Sequence, residues 1–363
     1  MSASILHRYQ TPFVKGVISV GSAIIICFSN AAAQSKDSKS QEQLKHFEKV
    51  LRAYPVSQSA LKLNFLFCFP QEEALKADTG LWGARYMEID ENGTLYISDS
   101  RAHRILVFDH SGNFIRQIGK KGQAPGEFYS PRGIAYDGKC LIINDTGNHR
   151  FQFFSTSGKF INSFVVYKTY YEIAASNNGM IYAAPIRMLN SDPLVDVFNH
   201  EGKILFSFGV GKKHTNWQQL NLIKMSTSAD NVFVGFQCFP VLRTYSVLGV
   251  LKNESNFGRG FMKEQEKMNI SRDRKENPAR IGFVNIIQDI KQNNGRALVL
   301  VSHPRVEILE FDNGGRLKSS WWAEKVFDCF DVALAYYSGS QNKRFYFLQE
   351  YPDNLVKAFD QAR

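Results

Sequence analysis

Five cysteines are spread through 363 residues, and no two form a Cys-x-x-Cys pair. That removes the compact spacings of zinc ribbons and dithiol exchange sites. There is no H-E-x-x-H helix, no G-x-S-x-G nucleophile elbow and no G-x-x-x-x-G-K-[ST] phosphate loop. The apolar run Val17–Phe28 is about a dozen residues long, short of the roughly 20 needed to cross a bilayer. Acidic residues are outnumbered, with 34 Asp and Glu against 44 Lys and Arg. A net-basic surface attracts acidic polymers but does not select a fold, and solvation alone is the ordinary use of surface lysines.

The first 33 residues carry a processing signal. Arg8 and Lys15 precede the apolar run, and Ala31, Ala32 and Ala33 follow it, the pattern of a secretory signal peptide. An uncleaved anchor is the alternative. Cleavage removes two basic residues and no acid, so the formal charge falls from +10 to +8. The expected product is exported, periplasmic or extracellular, with no integral membrane span after signal cleavage. Export makes nucleic acid a poor partner and favours an envelope protein, a peptide or an anionic glycan. Cys68, Cys140, Cys238 and Cys329 remain; an oxidising compartment permits three complete pairings, but buried free thiols serve equally well in a domain of this size.

Residues 34–60 form a polar segment followed by a short helix. In it Leu44, Phe47, Leu51 and Tyr54 recur at helical spacing until Pro55. From Leu61 the pattern changes to strands. Two copies of one phrase stand out: Gly93–Asp99 with Arg104–Asp109, and Cys140–Arg150 with Phe151–Phe154, each followed by a Gly-containing turn and another short apolar run. A repeat of this size is one four-stranded propeller blade. Looser copies follow from Tyr171, Leu222, Ile286 and Val326. The last supplies only three strands, and the apolar run 61–69 has no neighbour of its own. Pairing the two closes the ring and removes an open sheet edge. The chain therefore reads as all-β, a six-bladed β-propeller over 61–363, with a charged insertion at 258–280. Five or seven blades are the alternatives.

Residues 93–165 resemble the NHL-repeat family of β-propellers. The resemblance is carried by Pro131-Arg132-Gly133-Ile134-Ala135, by Asn144-Asp145-Thr146-Gly147-Asn148-His149-Arg150, and by the glycine-rich connector 119–128. Blade one follows with Asp99, His103 and Arg104. Overall the chain resembles uncharacterised exported bacterial propellers. Exported propeller lyases and lactonases that hold a divalent ion in the channel resemble the family in fold. The repeated Asp and Arg read as fasteners of a hairpin, with Gly147-Asn148 supplying positive-φ turn geometry. His103 and His149 read as hydrogen-bonded turn residues rather than shared metal ligands.

Corresponding positions on the innermost strands of a propeller converge on the central channel. Aligning them gives a ring of Tyr86, Gly133, Glu172, Lys224, Gln288 and Asp331. Arg85, Arg132 and Tyr171 precede it, and Glu88 lies further along its strand. This ring is the candidate ligand site. Its leading use is noncatalytic recognition of an envelope component, peptide or glycan, with no catalytic residue and no cofactor. The alternative is a metal-assisted lyase or hydrolase at the channel mouth. There Glu172, Asp331 and Glu88 offer oxygen ligands for calcium, zinc being the other candidate ion. The insertion 258–280, rich in Lys and Arg with Phe261 and Met262, is a second possible binding element or a solvated loop with a short helix.

Overall fold

The structure, a computed structural model, describes residues 53, 60–70, 80–186, 192–212, 218–273, 283–301, 306–323, 332–338, 343–349 and 355–361. Residues 1–33, where a signal peptide is expected, nearly all of segment 34–60, Cys329 and Asp331 lie outside them. Among the described residues no helix is long and apolar enough to cross a membrane.

Blade I comprises β2 (Ala84–Ile89), β3 (Leu95–Asp99), β4 (Arg104–Phe108) and β5 (Phe114–Ile118). Blade II comprises β6 (Pro131–Tyr136), β7 (Cys140–Asp145), β8 (Arg150–Ser155) and β9 (Phe160–Val165). Blade III is built from β10 (Tyr170–Ala175), β11 (Ile181–Pro185), β12 (Val195–Phe198) and β13 (Ile204–Phe208). Blade IV uses β14 (Ile223–Thr227), β15 (Asn231–Phe236), β16 (Val241–Ser246) and β17 (Leu251–Asn256). Blade V has β18 (Ile287–Asn293), β19 (Arg296–Val301), β20 (Val306–Phe311) and β21 (Leu317–Ala323). Blade VI takes β22 (Val332–Ser338), β23 (Lys343–Gln349) and β24 (Leu355–Gln361) from the end of the chain.

The fourth strand of blade VI is β1 (Leu61–Phe69), as the ring-closure argument requires. It runs antiparallel to β24 from Leu63↔Gln361 to Phe69↔Val356. Its first residues also pair in parallel with β21 at Leu61↔Trp321 and Leu63↔Ala323. One strand thus stitches blade VI to blade V. The chain is an all-β, six-bladed propeller, closed by a strand from near its start.

The core follows from this geometry. Blades pack face to face, so their middle strands are buried on both sides, and β3, β4, β7, β11 and β15 contain no exposed residue. Six apolar clusters each join residues of neighbouring blades; Leu63 packs with Trp321 and Phe345 at one, and Phe69 with Phe108 and Tyr346 at the next. Each Phe, Leu or Ile fully buried in this way contributes about 1.5–3 kcal/mol. Gly112 illustrates the tightness: its φ is 84°, and a Cβ there would press on the Phe69 ring at 2.6 Å.

The repeated motif fastens more than a hairpin. Asp145 accepts hydrogen bonds from the Tyr129 N–H (2.7 Å), Asn148 Nδ2 (2.8 Å), Arg150 Nε (2.9 Å) and Gln152 Nε2 (3.0 Å). Arg150 in turn donates to the carbonyls of Gln123, Ala124 and Glu127. Asp99 likewise accepts from the Gly83 N–H at 2.8 Å and lies 3.4 Å from Arg104. The connectors leading into both blades are therefore held by the pair. The positive φ falls on His103 (58°) and His149 (51°), not on Gly147 or Asn148. Gly147 is needed because a Cβ would overlap the Tyr129 ring and carbonyl. His103 Nδ1 accepts from the Ser130 N–H at 2.9 Å, a turn role rather than a metal-binding one.

Insertion 258–280 contains helix α1 (Phe261–Asp273), and its last residues, 274–280, lie outside the described set. The helix buries Gln265, Asn269, Arg272 and Asp273 along with Met262. Asn269 donates to the carbonyls of Cys238 (2.9 Å) and Val284 (2.8 Å) and accepts from the Val284 N–H. The short helix expected in this segment is present, tied by hydrogen bonds to blades IV and V rather than solvated on all sides.

Candidate functional site

The inner strands β2, β6, β10, β14, β18 and β22 contact one another in sequence around a ring. Inside it lies a cavity of about 360 Å³. It extends from Tyr86, Glu172 and Asp289 to the turns that follow the inner strands, where Glu91, Gly138, Asn177 and Asn294 line it. Of the sequence-derived candidates, Tyr86, Glu88 and Glu172 line the cavity, while Arg85, Arg132, Tyr171, Lys224 and Gln288 lie outside the lining. Arg85 and Arg132 are exposed.

Several of these residues nevertheless form one connected group. Lys224 Nζ lies 3.0 Å from Glu172 Oε2 and 4.6 Å from the centroid of the Tyr86 ring. Tyr86 donates its hydroxyl to the Tyr171 carbonyl at 2.6 Å, and the Tyr171 hydroxyl accepts from the Ile223 N–H at 2.6 Å. Lys291 Nζ lies 2.8 Å from Glu88 Oε2. Blades I, III, IV and V thus meet through charge at the axis.

Gln288 lies one residue from the charged group. Its amide donates to the Asn285 carbonyl, and the next residue, Asp289, joins the charged group. In β18 Ile287 pairs with Val301 and Asp289 with Leu300, so the extra residue falls just before Asp289. Similar register shifts precede Tyr86 and Glu172, whereas β14 runs without one through Lys224. Alignment by sequence cannot see which strands carry the extra residue.

The electrostatics single out Glu172. Burial pushes its carboxyl up to about 7, opposed by Lys224 and reinforced by Asp289. Burial works against the Lys224 ammonium, but Glu172, Tyr86 and Asp289 outweigh it and hold its pKa above the ordinary lysine value. Lys291 is raised likewise, with Glu88 and Asp289 overcoming burial. A buried carboxyl that changes charge near neutrality, beside a lysine and lining a cavity, is equipped to give and take protons. Calcium binding by the ring is not favoured, because both described carboxylates proposed for it already face an ammonium.

A second cluster lies between blades II and III. Asp137, in the turn after β6, has Oδ2 3.3 Å from Cys140 Sγ and 3.2 Å from His200 Nε2. Burial, then the neighbouring Asp137, push the Cys140 thiol up to about 12. Sequence spacing missed this set because His200 belongs to a different blade. Cys140 and Cys238 are free thiols.

A family model described as a 6-bladed beta-propeller matches residues 88–182. A putative exported protein from Bacteroides fragilis is 14% identical, with 85% of this chain and 98% of that chain covered and a TM-score of 0.55. The chain is a six-bladed propeller that resembles an exported bacterial protein. Virginiamycin B lyase from Staphylococcus aureus shares the fold at 10% identity, covering 83% of this chain and all of that one, with a TM-score of 0.51. The Drosophila melanogaster protein brain tumor is 22% identical over 129 residues, 34% of this chain and 12% of that protein's length.

The expectation of a purely noncatalytic binding scaffold is overturned here. The Asp137–Cys140–His200 cluster is one that could hold a metal ion, and virginiamycin B lyase shares the fold. The axial ionisable group points the same way.

Proposed function

We propose that this protein is a metal-assisted lyase or hydrolase acting on a small polar substrate in the channel cavity. The observation that carries the reading is the buried Glu172–Lys224 pair, with Asp289 beside it, at the wall of a 360 Å³ cavity. As a carboxylate, Glu172 accepts a proton from water or from an acidic C–H of the substrate. As an acid, it returns that proton to the departing oxygen. Lys224 supports the ionised form of Glu172, and Tyr86 holds the wall through its bond to Tyr171. The metal-assisted form draws on Asp137, Cys140 and His200, whose hairpin also supplies Gly138 to the cavity lining. A divalent ion would there supply stabilisation of developing negative charge.

The test is a panel of small lactones and esters followed by proton release, and of β-elimination substrates followed by ultraviolet absorbance of the new double bond. Turnover by the native protein that Glu172→Gln abolishes supports the reading. Turnover of no substrate, or equal turnover by the variant, removes it.

Export is part of the same proposal, with cleavage after Ala33 and a mature protein starting at Gln34. The likeness to a putative exported protein supports it. N-terminal sequencing of the fractionated protein reads it directly.

A further inference from the structure

The hairpin joining β6 to β7 and the turn joining β12 to β13 bring three different ligand types together. Asp137 is locked in place: its Oδ1 accepts from the N–H groups of Lys139 (2.8 Å) and Cys140 (2.7 Å), which leaves Oδ2 facing the cluster. Cys140 and Asp137 are buried. The His200 ring packs on Phe153 at 5.0 Å between centroids. Its Nε2 is shielded from solvent and makes no hydrogen bond, although Asp137 Oδ2 is 3.2 Å away. A buried imidazole nitrogen without a hydrogen-bond partner, beside a thiol and a carboxylate oxygen, is an incomplete arrangement.

We infer that Asp137, Cys140 and His200 bind a zinc-class divalent ion that clamps blade II to blade III beside the channel cavity. The ligand atoms all lie within 4.8 Å of one another. Tetrahedral zinc with bonds of about 2.0–2.3 Å separates its ligands by about 3.3–3.8 Å. The separations of 3.2 and 3.3 Å from Asp137 Oδ2 need only a small opening to accept it. The mixed sulfur, nitrogen and oxygen set selects a borderline ion over calcium or magnesium, which prefer oxygen alone. Binding replaces the Cys140 thiol proton, which leaves to solvent as the sulfur–metal bond forms. Three protein ligands leave a fourth position for water. This site stands whether or not the channel is catalytic.

The test uses the full-length protein, stripped with a chelator, confirmed folded by circular dichroism, and titrated with Zn²⁺ and separately with Co²⁺. One equivalent should bind, the thermal midpoint should rise with free zinc, and the Co²⁺ form should show near-ultraviolet thiolate-to-metal absorption. Cys140→Ser should abolish that absorption. His200→Ala, in a partly exposed turn, should fold normally and lose affinity on the order of 100-fold. Glu172→Gln should bind metal like the native protein, which separates failure of this site from failure of the channel chemistry. Absence of stoichiometric binding, or binding that survives both ligand substitutions, overturns the inference. So does an equal thermal response to Ca²⁺.

Discussion

Asp145 and Glu172 are both buried carboxylates beside a cationic side chain, and they are held in opposite ways. Asp145 is wrapped by four donors from the connector, the turn and β8. Glu172 accepts a hydrogen bond from Lys224 and has a like charge, Asp289, in its surroundings. A carboxylate saturated with donors has nothing left to offer a substrate and works as a fastener. One that is desolvated, facing a single ammonium and a cavity, keeps its proton equilibrium near neutrality. Position in the blade decides which arises: Asp145 ends β7 under a connector, whereas Glu172 sits on an innermost strand where neighbouring blades converge.

The sharpest way to break this contrast is Asp145→Ala. It strands Arg150 and releases the connector, so stability should fall by about 3–5 kcal/mol, read from denaturant unfolding. Glu172→Gln should act on turnover more than on stability. Turnover should fall about 10²- to 10⁴-fold, while stability falls less than in Asp145→Ala, because the loss of a partner for Lys224 is offset by relief of the repulsion from Asp289. A large stability loss in this variant would erase the distinction. Titration gives a third test. Because the Glu172 carboxyl is raised from an ordinary 4.5 to about 7, its contribution to stability is complete below pH 4.5 and is lost as pH rises through 7. Unfolding free energy measured across that window should fall in the native protein and run flatter in Glu172→Gln. The smallest effect is expected from Tyr86→Phe, which removes one hydrogen bond to the Tyr171 carbonyl and should cost about 0.5–1.5 kcal/mol.

Features separated by a few residues were legible before folding. Asp99 and Arg104, or Asp145 and Arg150, stand at the two ends of one turn, so their pairing follows from local spacing. Ring closure was legible for a different reason: an apolar run without a neighbour and a last blade lacking a strand complete each other. Glu172 and Lys224 emerged together by aligning strand starts. Asp289 did not, because the weak repeat of blade V holds no local signature that marks which residue of β18 matches Tyr86 and Glu172. His200 was hidden by distance along the chain, since its partners belong to the preceding blade. The short helix expected in the insertion is present, but its burial was not legible. It is held by polar anchors such as Asn269 rather than by an apolar stripe, and periodicity detects only the latter.

The seam at β1 also sets an order of events. During synthesis β1 emerges before every other strand, yet its antiparallel partner β24 begins about 290 residues later. Until β21 and then β24 appear, Leu61–Phe69, with its alternating apolar side chains, has no native strand neighbour. Blades I to IV can pair locally as they appear, whereas the final closure joins the two most distant strands of the ring. Such a long-range step is slow, and an unpaired apolar strand is open to wrong partners while it waits. The last blade is therefore the folding checkpoint of the whole ring.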